Sequence, residues 1–230
     1  MLRPDTQKFR LLELIGICGE FPADQLNRLF TSPSYAEKII TELKAEKLIR
    51  PHYKDKLRGY RLTKRSKELL LAYYPDRFHC YLSGNTETNV IRSEPSRRIR
   101  LHQKAQTYLT LLHAGIPFYP DVKPHIFSVE REAASIHMRS LPLFYSSREI
   151  KELGAATTKI KNSRSMGILM APHCIYVITI PEVESSSGSI KLKCASMLSC
   201  NIICRDILTP DIRKFVQLCL VTIWKLLSNC

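Results

Sequence analysis

Apolar positions in the first seventy-five residues recur at helical spacing in four runs, broken once by a strand-like pattern. Phe9, Leu11, Leu12, Leu14 and Ile15 form the first stripe, behind a cap at Asp5 or Thr6. Pro22 opens a shorter run of Ala23, Leu26, Leu29 and Phe30, which Thr31-Ser32-Pro33 ends. A third helix begins at a capping box, Ser34-x-x-Glu37, and points Ala36, Ile39, Ile40 and Leu43 one way. Its other flank carries Ser34, Lys38, Thr41 and Ala45, with Tyr35 at the front edge and no large aliphatic residue. "LIRPHY" and "YRLT" then read as two strands joined by the polar turn "KDKLRG", which ends in Gly59. Thr63 caps the fourth helix, "KRSKELLLAYY", with Leu69, Leu70 and Tyr73 inward.

Residues 75–95 lose helical periodicity, and Gly84-Asn85-Thr86 and Pro95 mark a turn-rich connection. Beyond it, "SRRIRLHQKAQTYLTLLHAGI" predicts a long helix capped by Ser96 and stopped by Gly115, burying Ile99, Leu101, Ala105, Tyr108, Leu109 and Leu112. Strands are expected at 135–138 and 141–145, and "MGILMA" and "CIYVITI" predict a buried hairpin around Pro172-His173. Residues 181–188 form a loop, and a helix over 210–227 has one broad apolar face suited to a core or a dimer contact. The expected class is α+β. Its parts are a helical unit with a hairpin over residues 1–80, a linker at 81–95 and a mixed α/β domain over 96–230 that contains a β-hairpin and a C-terminal helix.

Charge sharpens this picture. The 230 residues carry a formal net charge of +14 and a pI near 9.5, a balance that favours polyanions through long-range attraction and counterion release. Residues 1–80 hold 16 Lys/Arg against 10 Asp/Glu, a net +6. Arg97, Arg98, Arg100 and Lys104 crowd the first turns of the helix from Ser96, where cations oppose the helix dipole. Phosphate would offset that cost, and so would acids elsewhere in the fold. No apolar run is long enough to span a bilayer, and the first residues reach charge too soon for a secretory signal, so a cytoplasmic protein is expected. The eight cysteines include no C-x-x-C pair, which points to reduced, mostly buried thiols.

Three helices, a hairpin with a cationic tip and a further helix are the order of a winged helix-turn-helix. With "ITELKAEKLIRP" and "YRLTKRSKELL", residues 5–75 resemble the winged-helix domains of bacterial DNA-binding proteins. That resemblance implies a third helix in the major groove of double-stranded DNA. Ser34, Tyr35, Lys38 and Thr41 would meet base edges or nearby phosphates, and Lys54, Lys56 and Arg58 would meet the backbone. Arg97, Arg98 and Arg100 are added as candidate phosphate contacts from their charge. The full layout, with "PFYPDVKPHIF" and "FYSSREIK", is similar to replication-relaxation proteins of Gram-positive plasmids and integrative elements. This implies a role in regulation, replication or transfer of a mobile element, with a homodimer as one arrangement.

Two alternatives stand beside this reading. Asp121 in "YPD" and Glu149 and Lys151 in "REIK" match the letters of a PD…E-x-K nuclease, in which the carboxylates hold a divalent metal and the lysine orients water. Ser146 and Glu149, however, form a second capping box, which predicts a helix where that chemistry uses a strand. Winged helices also serve as protein-docking modules, and the positive charge would then meet an acidic partner. No P-loop, dinucleotide fingerprint or G-x-S-x-G elbow occurs, so no cofactor is expected.

Overall fold

The structure is a computed structural model, and it describes residues 3–4, 6–83, 93–124, 142–153, 165–171 and 174–179. The expected strand at 135–138, the loop at 181–188 and the helix at 210–227 lie outside these residues. The class is α+β: seven α-helices and two three-stranded antiparallel sheets among the described residues.

Helix α1 (Gln7–Cys18) runs through the centre. Thr6 is its N-cap, with Oγ1 accepting from the Phe9 N–H at 3.3 Å, and Gly19 at φ 86° donates its N–H to Ile15. Every residue from Leu11 to Cys18 is buried, as expected of a helix apolar on nearly all sides. Burial pushes the Cys18 thiol up to about 12, so it acts as a small apolar side chain.

Strand β1 (Phe21–Pro22) follows, and Pro22 both ends this strand and caps the next helical turn, the entrance expected of it. The expected second helix is a 3-10 turn over Ala23–Gln25 and then α2 (Leu26–Leu29). Helix α3 (Pro33–Ala45) packs Ala36, Ile39, Ile40 and Leu43 on the core, as the stripe predicts. Its cap is Ser32, not Ser34: the Ser32 hydroxyl accepts from the Tyr35 N–H at 3.3 Å. Pro33 explains the shift, because it lacks an N–H and its fixed φ suits the first helical position. At the other end Lys47, at φ 55°, and Leu48 close a Schellman motif, with the Leu48 N–H on Leu43 and the Lys47 N–H on Lys44.

Strands β2 (Ile49–Lys54) and β3 (Leu57–Leu62) form a hairpin, and β1 pairs with β3, giving the order β1-β3-β2. The turn is shorter than the expected "KDKLRG": only Asp55 and Lys56 lie outside the strands, at φ 54° and 61°. Two central residues at positive φ mark a type I′ turn, whose twist matches the strands. Directly paired residues share a face. Ile49, Pro51 and Tyr53 therefore lie on one face with Leu62, Tyr60 and Arg58, whereas Arg50, His52 and Lys54 lie on the other with Arg61, Gly59 and Leu57.

Helix α4 (Lys64–Tyr73) is capped by Thr63 as expected. Helix α5 (Pro75–Leu82) lies where the sequence pattern shows no helical period. Eight residues opened by a proline give too short a run for periodicity to register, yet Phe78, Cys80 and Tyr81 are buried. Helix α6 (Pro95–His113) has Glu94 rather than Ser96 at its N-cap, and the chain leaves it at Gly115, φ 67°, as predicted. Strand β4 (Leu143–Ser146), helix α7 (Ser147–Leu153), β5 (Ser165–Ala171) and β6 (Cys174–Thr179) complete the described chain, with sheet order β4-β5-β6. The hairpin expected around 172–173 is β5 and β6.

One apolar core runs from Phe9 in α1 through Tyr108 in α6 to Phe144, Met166 and Tyr176 of the second sheet. Tyr108 lies 5.2 Å from the Phe118 ring and 5.7 Å from that of Phe144. The elements on the two sides of residues 81–95 thus share a core.

Candidate nucleic-acid interface

Four of the residues expected to read DNA lie on the exposed flank of α3. Ser34, Lys38 and Thr41 are exposed, and Tyr35 is 42 % exposed with its ring edge-on to Phe30 at 5.9 Å. The spacing i, i+4, i+7 of Ser34, Lys38 and Thr41 puts them on one line along the helix. Two acids near this flank are tied back to α1: Lys8 Nζ lies 2.6 Å from Glu42 and 2.9 Å from Glu46. Their charge is thereby partly neutralised where it would otherwise repel phosphate.

The hairpin tip presents the second group. Lys54, Lys56 and Arg58 are all exposed, against Asp55 alone. Beside them Tyr53 is 72 % exposed, on the same face as Arg58. That face continues to Tyr60, over whose ring Lys44 of α3 sits at 5.7 Å. The base of the hairpin and the C-terminal end of α3 are therefore adjacent. Tyr53 is absent from the sequence-derived candidates. Its signal was the alternation of Ile49, Pro51 and Tyr53, which runs out of the core before the aromatic is reached.

Arg97, Arg98 and Arg100 do not act alike. Arg97 and Arg100 are half-buried, and Arg100 Nε donates to the Ser96 carbonyl at 3.4 Å. Arg98, expected to touch phosphate, has no exposed surface at all. Its guanidinium donates to Glu20 Oε1 from Nη2 at 2.6 Å and from Nε at 3.0 Å. It also donates to three hairpin carbonyls: from Nη1 to Lys54 at 2.7 Å, and from Nη2 to His52 and Leu57 at 3.0 Å each. Arg98 thus has the role of an internal ion pair, and the phosphate reading fails for it. The sequence held the clue: Arg98 precedes Leu101, Ala105 and Tyr108 by three, seven and ten residues, on the buried stripe of its helix.

Glu20 is the acid that receives it. The carboxylate is buried and accepts from Arg61 Nε at 2.7 Å as well as from Arg98, and His102 Nε2 lies 2.9 Å away. Burial opposes ionisation of Glu20, but hydrogen bonds from His102, Arg98 and Arg61 outweigh it and hold the carboxyl down at about 2. Gly59 lies directly against this carboxylate, and any Cβ there would collide with the Glu20 side chain. Desolvation, followed by Arg61 and Arg98, lowers the pKa of His52.

The two carboxylates of the nuclease letters each meet a cation from elsewhere in the fold. Asp121 lies in a 3-10 turn (Pro120–Val122) and accepts from Arg77 Nε and Nη2 at 2.8 and 2.7 Å. Arg77 also donates to Glu13 at 2.6 Å, its guanidinium 4.3 Å from the rings of both Tyr74 and Tyr119. Glu149 is buried in the first turn of α7, in the predicted capping box: the Ser146 N–H donates to its Oε2 at 2.9 Å. Its other oxygen pairs with the buried Lys123 Nζ at 2.7 Å. Lys151 follows in the same helix. Each carboxylate is engaged by its own cation. Among the described residues no group of three or more His, Cys, Asp or Glu side chains could hold a metal, and no helix is long and apolar enough to cross a membrane.

Comparison with protein-family models, curated proteins and solved structures finds no match to this chain.

Proposed function

We propose that this chain binds double-stranded DNA through a winged helix-turn-helix, with α3 in the major groove and the β2–β3 tip along the backbone. One observation carries the reading: the small, hydrogen-bonding flank of α3 and the cationic hairpin tip are both exposed, and the base of the same hairpin abuts the C-terminal end of α3, where Lys44 sits over Tyr60. Small polar residues with one cation suit base edges, and a row of Lys and Arg suits phosphate. The helix order and the sheet order β1-β3-β2 support the same reading. Regulation, replication or transfer of a mobile element is the role that the resemblance attaches to such binding.

Selection of bound sequences from random duplexes tests this. The expected result is a defined site, palindromic if the protein binds as a homodimer. Lys38→Ala should then relax preference at its position and weaken the selected site by roughly tenfold, within the 1–3 kcal/mol of one base contact. An unenriched pool, or no binding at low salt, would favour docking to an acidic protein instead.

A further inference from the structure

We infer that Arg98 is a positioning residue for the hairpin: through it, α6 sets where the cationic tip lies, and DNA affinity depends on a side chain that cannot reach DNA. The inference rests on the proposed DNA-binding function. Its basis is the geometry on the inner face of the β2–β3 sheet. Arg98 is fully buried, yet it contacts the hairpin at three carbonyls bracketing the turn, those of His52, Lys54 and Leu57. Glu20 anchors the guanidinium from behind and also grips Arg61 on β3. The remaining turn residues, Asp55 and Lys56, are exposed, and so is Arg58 next to them. A two-stranded ribbon that projects into solvent is marginally stable by itself. The fork of one guanidinium is suited to several fixed acceptors at once, whereas a lysine ammonium is a point donor on a flexible stem. The pieces come from distant parts of the chain: α6 supplies Arg98, the segment after α1 supplies Glu20, and the hairpin supplies the acceptors.

Two measurements on the full chain test this. The first is hydrogen exchange of the free protein. Arg98→Met should speed exchange at the amides of residues 49–62 by tenfold or more and leave those of α1 unchanged. The second is DNA affinity against salt. Arg98→Met should make the log–log slope less steep by roughly 3, the loss of the Lys54, Lys56 and Arg58 contacts at about 0.9 each. In a Lys54→Ala/Lys56→Ala/Arg58→Ala background it should change the slope no further. An unchanged slope, additive losses or unaltered hairpin exchange would overturn the inference. If the native chain binds no DNA, the proposed function fails, and hairpin exchange alone decides whether Arg98 sets the hairpin. If Arg98→Met does not fold, Arg98→Lys, which keeps the charge without the fork, is read by the same two measurements.

Discussion

Glu20 is held by Arg61, Arg98 and His102, and its protonation has a calculable consequence. Its carboxyl is held at about 2 against an ordinary value of 4.5. A depressed carboxyl contributes stability that is fully present above the ordinary value and is lost as pH falls through the depressed one. The contribution is roughly 3 kcal/mol at neutral pH, from 1.36 kcal/mol per pH unit of displacement. Denaturant melts between pH 6 and 2 should therefore show an acid limb between about pH 4.5 and 2, and Glu20→Gln should flatten that limb while lowering neutral stability. Lys56 gives a prediction of the opposite kind. At φ 61° its backbone is strained for a residue with a Cβ. Lys56→Gly should raise stability by about 1 kcal/mol in thermal or chemical melts and at the same time weaken DNA binding across all sequences. A gain in both, or a loss in both, would contradict the roles given to this residue.

Among the elements, α1, α3, α4, α6 and the two hairpins were legible because each couples a clear apolar period to a cap or a turn. Thr6, Thr63 and Gly115 act as their residue types predict. The misreadings were local competitions. Pro33 moved a cap by two residues, and the left-handed conformations of Asp55 and Lys56 shortened a turn that composition made look longer. Helix α5 was too short to show a period. The exposure of the candidate residues was legible in the sequence. Lys38, Lys54, Lys56 and Arg58 are exposed as the pattern suggests, because a charged side chain off the apolar stripe has nowhere else to go. The partners of buried charges were not. The stripe position of Arg98 hints at its burial, but its partner Glu20 is far away in sequence, and only the fold identifies the pair. Glu149 is the same case, since its partner Lys123 lies outside its helix, and the exposed Asp121 likewise meets Arg77 of another element.

At the scale of the whole molecule, the expected division into units at 1–80 and 96–230 meets a core that both contribute to. Helix α6 packs Leu101, Ala105 and Tyr108 inward while its first turn holds the hairpin through Arg98. The proposed DNA face is thus supported from behind by a helix outside residues 1–80. The account stands or falls on that face. Its most direct test is amide chemical-shift mapping of the full chain titrated with a selected duplex. The account predicts that the largest changes fall at Ser34, Tyr35, Lys38 and Thr41 and at residues 53–58, with small changes along α7 and the second sheet. Largest changes along α7 or the second sheet, or none on the α3 flank, would contradict it.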